Sequence, residues 1–217
     1  MNFAKIIPAA FAISFAFLSP VSLSAGELNF QPIIGAGGHV THIGGVKITG
    51  AALNGGLRAS FDVSPNMAVF GQVGATFMDG SNVTKGAGTP VATMLGLEPT
   101  TTMELGISPE ALVGATFRNG AWSFTGYGGA TAIKVTTTNK VLDEAGMFAA
   151  LMAPPFQATP TDFVVSTKKV DWKTAGVVGG DVGFQMNQHI TATLGAKGAF
   201  GGGVKSLQIG GGIRVKF

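Results

Sequence analysis

The residues able to do covalent chemistry are few. His189 and Thr191 stand two apart, the spacing at which a strand puts an imidazole base and a hydroxyl on one face. Such a pair could serve acyl transfer. Threonine replaces the usual serine, however, and no acidic residue is identifiable to orient the ring. His39 and His42 are three apart, which on a strand means opposite faces, so a shared metal would require a loop there. All three read as rim histidines, and neither a catalytic nor a metal site is expected. Gly35-Ala36-Gly37-Gly38 and Gly201-Gly202-Gly203 have the composition of a phosphate-cradling loop, but neither opens a helix after a strand, so no cofactor is implied.

The elements that must carry these residues follow from composition. Lys5 precedes the apolar run Ile6 to Leu18, and Ser22-Leu23-Ser24-Ala25 supplies small residues for cleavage, the pattern of a secretory signal peptide over residues 1–25. Its apolar core of about a dozen residues falls short of the roughly 20 that a spanning helix needs. The chain has no cysteine, which removes both a lipid-attachment site and a disulfide framework. Residues 26–217 form one expected domain. With 34 glycines, 12% charged residues and a mean hydropathy of +0.39, the chain is too apolar for a surface facing water alone. It still lacks a run of 18 apolar residues, which leaves strands rather than helices to cross a bilayer. A net charge of +3 is too small and scattered for a nucleic-acid surface.

Period-two alternation appears along most of the chain. Reading back from the end, Phe217, Val215, Ile213, Gly211, Ile209 and Leu207 share one face, and Lys216, Arg214, Gln208 and Ser206 the other. Segments 190–200, 170–186, 103–118, 67–78 and 47–63 repeat the pattern. Within 103–118, Met103, Leu105, Ile107, Val113 and Phe117 are expected outward, against Glu104, Ser108, Glu110 and Arg118 inward. Leu28 to Thr41 is marked by Phe30, Ile34 and Val40, and between Trp122 and Val135 the parity slips after Gly126, suggesting a β-bulge. Tight reversals are expected at Ser64-Pro65-Asn66, Asn119-Gly120 and Asn187-Gln188, with Asn-Gly suited to a turn needing positive φ twice. Other connections fall near 42–46, 79–102, 138–166 and 200–204. Three short turns alternating with four loops give an all-β fold, an eight-stranded antiparallel up-and-down transmembrane barrel.

The closing segment Ile209-Gly210-Gly211-Gly212-Ile213-Arg214-Val215-Lys216-Phe217 resembles the terminal strand of the small eight-stranded outer-membrane barrels, the group of the OmpA membrane domain, OmpX and the opacity-type proteins. The resemblance implies location in a bacterial outer membrane, contact with its lipids and lipopolysaccharide, and recognition by the barrel-assembly machinery through Ile209, Ile213, Val215 and Phe217. Nothing follows Phe217, so the cell-wall-binding domain of full-length OmpA is not carried over. His189-Ile190-Thr191 is similar to the His-x-Ser pair of outer-membrane lipid A deacylases, yet it sits at the turn end, opposite lipopolysaccharide.

An eight-stranded barrel has an interior that side chains just fill, whereas an open aqueous channel takes roughly 16 strands. The inward positions hold Arg58, Asp62, Glu104, Glu110, Arg118, Lys169, Asp171, Lys173, Asp181, Lys197 and Arg214. Buried charges must pair, so a salt-bridge network plugging the lumen is expected. Phe61, Phe117, Trp122 and Phe184 near the short turns, with Phe77, Trp172 and Phe200 near the outer ends, match two interfacial aromatic girdles. Loops 79–102 and 138–166 could hold an extracellular ligand. The apolar stretch Leu142 to Met152, closed by Pro154-Pro155, could fold back over the mouth, lie in the lipid interface or bind a partner; folding back is favoured. The leading expectation is a non-enzymatic structural or surface-interaction barrel, with a narrow channel for small or apolar solutes as the alternative and a lipid-modifying enzyme third.

Overall fold

The computed structural model describes residues 28–152 and 159–216. The expected leader 1–25, Pro154-Pro155 and Phe217 lie outside the described residues. Eight strands close into an antiparallel ring: β1 (Leu28–Ile43), β2 (Val46–Ser64), β3 (Met67–Met78), β6 (Ile107–Asn119), β7 (Trp122–Leu142), β8 (Val164–Gln185), β9 (Ile190–Gly201) and β10 (Val204–Val215). The β1–β10 pairing completes the circle. Closure of this kind leaves the membrane-spanning strands without a free edge, which hydrocarbon requires.

Two further strands, β4 (Ser81–Lys85) and β5 (Thr100–Leu105), extend β3 and β6 beyond the ring. β5 pairs with the distal part of β7, and β4 with β5, so β4, β5, β7 and β8 form a four-stranded ribbon at the loop end. Two short helices sit on its tip, α1 (Pro90–Met94) and α2 (Glu144–Leu151), followed by a 3-10 turn over Pro160–Phe163.

The turns follow glycine chemistry more closely than expected. Gly44-Gly45 (φ +56° and +86°) and Gly202-Gly203 (φ +57° and +77°) make two-residue reversals, so the connections near 42–46 and 200–204 are tight turns. The reversal expected at Asn119-Gly120 is displaced by one residue. Asn119 pairs with Trp122, leaving Gly120-Ala121 as the turn with only Gly120 at positive φ. An alanine at Gly45 would meet no atom within 4 Å, so its effect is conformational alone. We expect Gly45→Ala to cost about 1–2 kcal/mol in urea unfolding, and Gly71→Ala, equally open and without positive φ, to cost nothing.

One parity inference is corrected. Leu105 opposes Val135 and Glu110 opposes Thr131, five steps on one strand against four on its neighbour. The extra residue, at Gly106, is a bulge that swaps the faces of everything before it. Leu105 is therefore buried and Met103 packs inward, while Glu104 is exposed on the ribbon. Conversely, no bulge interrupts β7 after Gly126. Its register against β8 is continuous from Trp122 to Leu142, and the apparent slip arises because Ile133 and Val135 point into the lumen.

Those two residues belong to an apolar cluster inside the loop end of the barrel, with Ile43, Ile48, Ala52, Met78, Leu105 and Val204. A smaller cluster of Leu112, Ala175, Val177 and Ala199 includes the flank of Tyr127. The loop end of the lumen is thus lined by hydrocarbon, and the charged groups lie on the short-turn side of it.

Candidate functional site

Among the described residues, seven inward charges occupy the spanning lumen, brought there by strand parity. Lys197 on β9 reaches across to Glu110 on β6, Nζ to Oε2 2.6 Å, and donates to Thr76 Oγ1 at 3.1 Å. Arg214 on β10 meets Asp181 on β8 at 2.6 Å and donates to Thr125 Oγ1 at 3.3 Å. Arg118 and Asp62, nearer the short turns, pair at 2.9 Å. In each pair the two partners stand on strands that are not neighbours in the ring, so the pairs tie non-adjacent staves of the barrel together.

Arg58 is the odd member. Its Nε and Nη2 donate to Gln72 Oε1 at 3.1 and 2.9 Å, and its guanidinium lies 3.7 Å from the Phe70 ring centroid. It is only 4% exposed. Cavities bounded by described residues line up along this interior. The middle one, about 80 Å³, is bounded by Arg58, Arg214 and Asp181; one of about 70 Å³ lies toward the turns and one of about 20 Å³ toward the apolar cluster.

Four charges expected in the lumen lie elsewhere. Glu104 is exposed because of the bulge, as described above. Lys169, Asp171 and Lys173 have inward parity, but β8 pairs with β9 only from Gly176 onward, so these three stand on the ribbon above the ring. Asp171 and Lys173 pair there at 2.9 Å, both partly exposed.

The histidines also separate. His39 is buried in the lumen, not at the rim: Nε2 lies 2.6 Å from the Asp79 carbonyl oxygen, Nδ1 3.1 Å from Thr41 Oγ1, and Thr41 2.8 Å from Ser206 Oγ. Because a carbonyl only accepts, Nε2 carries a proton and donates it to Asp79. His42 is exposed on the other face. His189 is exposed at the turn end, its Nδ1 3.2 Å from the Lys216 carbonyl oxygen, so the backbone orients the ring. Among the described residues no three His, Asp or Glu side chains gather as metal ligands.

On the outside, Phe117, Trp122 and Phe184 are exposed toward the short turns and Phe61 is half-buried there, while Phe77, Trp172 and Phe200 are exposed toward the loop end. Trp122 and Phe184 are register partners in edge-to-face contact, centroids 5.1 Å apart. Phe30 and Phe124, which alternate with the same parity, face outward as well. Ile209 and Ile213 are exposed on the same outer face, and Val215 is half-buried.

The ribbon tip is a second candidate site. Leu142, Met147 and Ala92 form a small core, flanked by Val91, Leu97, Phe163 and Val164. Thr89 caps α1, accepting from the Ala92 amide, and its hydroxyl donates to Glu144, which ties the two loops. Asp143 caps α2 by accepting from the Gly146 amide at 3.0 Å. The Thr159 backbone N–H and hydroxyl hold the Asp162 carboxyl below its ordinary value, keeping that turn ionised into mild acid. The favoured fold-back of residues 142–152 over the mouth is therefore only partly right. Met147 is buried at the tip, whereas Phe148, Leu151 and Met152 are exposed there, the last at 84%. Met94, at the end of α1 on the same ribbon tip, is 81% exposed.

No protein-family model and no curated protein sequence matches the chain. Among solved structures, Ail, the attachment invasion locus protein of Yersinia pestis, in complex with the heparin analogue sucrose octasulfate, is similar at a TM-score of 0.53 and 14% identity, over 88% of this chain and 99% of that one. A second structure of Ail gives 0.51 and 15% over the same shares. Neisserial surface protein A aligns at 0.49 and 12%, over 87% and 97%. With its ring of eight strands and its outward Leu, Ile, Val and Phe, the chain has the fold of the small barrels of the bacterial outer membrane, and its apolar exterior places it in that membrane.

Proposed function

We propose that the protein is a structural and surface-interaction barrel, non-enzymatic, that presents the crest of α1 and α2 to an extracellular partner. The observation that carries this reading is the exposed apolar crest of Met94, Phe148, Leu151 and Met152, raised on a four-stranded ribbon. Exposed clusters of this kind are costly in water unless something docks on them. The apolar cluster at the loop end of the lumen and the ion pairs beneath it support a plugged interior. That a protein of this fold, Ail, has been solved with a heparin analogue supports looking to the loop end for a ligand. In this reading residues 1–25 are removed on export, the two levels of aromatics sit at the membrane interfaces, and Ile209, Ile213, Val215 and Phe217 serve as the assembly signal.

The test uses cells displaying the chain, with adherence measured on heparin-coated surfaces and on cultured epithelial cells. Phe148→Glu with Met152→Glu should lower adherence at least tenfold while heat-modifiable gel mobility, the mark of a closed barrel, stays the same. Planar bilayers should give no unitary conductance. Adherence indifferent to the crest substitutions, or reproducible single-channel steps lost on neutralising Arg58, would overturn the reading.

A further inference from the structure

We infer that the middle lumen cavity is a binding site for one small anion, of the size of a halide or formate, held by Arg58 with Arg214 beside it. Among the described residues the spanning lumen holds four cations, Arg58, Arg118, Lys197 and Arg214, against three carboxylates, Asp62, Glu110 and Asp181. Each carboxylate is matched to one cation, and Arg58 is the cation left over. A guanidinium does not shed its proton to escape burial, so its charge needs a counter-charge nearby.

The geometry supplies the donors for it. Arg58 Nη1 and Arg214 Nε are buried and make no hydrogen bond to the protein, on side chains 4% and 6% exposed that line the same cavity. Arg58 is held in place by its two bonds to Gln72 and by the Phe70 ring, so the free N–H is fixed before any ligand arrives. Part of the lining is glycine backbone, Gly210, Gly211 and Gly212 on β10 among it, which leaves space beside the two arginines. A Cβ on Gly210 would lie 2.4 Å from the Ala36 carbonyl oxygen and one on Gly212 2.7 Å from that of Ile34, so neither position accepts a larger residue. A cavity of about 80 Å³ has room for several waters or for one small anion with water around it. Asp181 and Glu110 also line it, and both are already neutralised at 2.6 Å, which limits their repulsion of a ligand.

The full barrel, crystallised from detergent with bromide as the halide, tests the site by anomalous diffraction. One peak is expected within hydrogen-bonding distance of Arg58 Nη1. In solution, exchanging gluconate for chloride should raise the urea midpoint of the parent barrel and leave that of Arg58→Gln unmoved. Asp181→Asn leaves one more cation unneutralised, and the bromide concentration for half-effect should then fall about tenfold. A cavity that holds only water at high bromide, or a bromide peak that survives Arg58→Gln, would overturn the inference. Should Arg58→Gln fail to refold, the parent bromide signal and the Asp181→Asn shift decide it.

Discussion

Replacing Glu110 by alanine is expected to destabilise the barrel by about 3–5 kcal/mol, the cost of leaving a buried ammonium without its partner. The Lys197–Glu110 pair is short, 2.6 Å, and its side chains are 14% and 6% exposed. Once Glu110 is gone, Lys197 keeps the Thr76 hydroxyl, a neutral acceptor. Urea unfolding in lipid vesicles, followed by the gel mobility of the closed barrel, measures the loss. Glu110→Leu combined with Lys197→Met should recover most of it, because two apolar groups of similar volume need no counter-charge. Equal destabilisation in the single and double variants would show that the pair does not hold the staves together. The ribbon pair provides the control: Lys173→Ala breaks a contact of similar length between partly exposed groups, and stability should not change measurably.

Leu194→Arg should cost about 2–4 kcal/mol in a bilayer, the penalty for a cation near the hydrocarbon midplane. Leu194 lies mid-strand on β9, opposite Val182 and Gly211, and 66% of it is open to the outside. In water such an exposed leucine would tolerate arginine with little effect. Phe77→Arg, close to the loop-end boundary, should cost about 0–1 kcal/mol, since the side chain reaches the headgroups. A penalty that does not fall from Leu194 to Phe77 would contradict the membrane placement.

Both predictions rest on faces that differ in how readily the sequence discloses them. Lipid imposes one demand on every outward position, so Leu53, Val73, Val113, Val182, Leu194 and Ile213 could be assigned from alternation alone, and all are exposed on the outer surface. The lumen imposes no single demand. Toward the turns it takes Arg58, Asp181 and Arg214, and toward the loops it takes Ile48, Ile133 and Val204, so the inner face changes from polar to apolar along one strand. In β7 that change imitates a slip of register. At Gly106 a real slip is concealed, because Met103 and Leu105 suit a lipid face as well as they suit the core.

Height within the membrane is the other quantity alternation does not carry. Lys169, Asp171 and Lys173 have the same parity as Asp181, yet the offset between β8 and β9 leaves them above the ring. The two glycine pairs at 44–45 and 202–203 read as loop because a tight turn and a flexible one share a composition; only positive φ in both residues, with strands paired to the turn itself, distinguishes them.

By itself, then, the sequence determined the number of crossings, the outward face and the closing strand, since each follows from contact between one residue and its surroundings, lipid or water. The tertiary structure alone decided which inward groups meet. Lys197 and Glu110 are 87 positions apart and Thr41 and Ser206 are 165 apart, and they come together because ring closure sets the relative height of every strand. That height is a sum of registers around the whole barrel, a quantity no single segment contains.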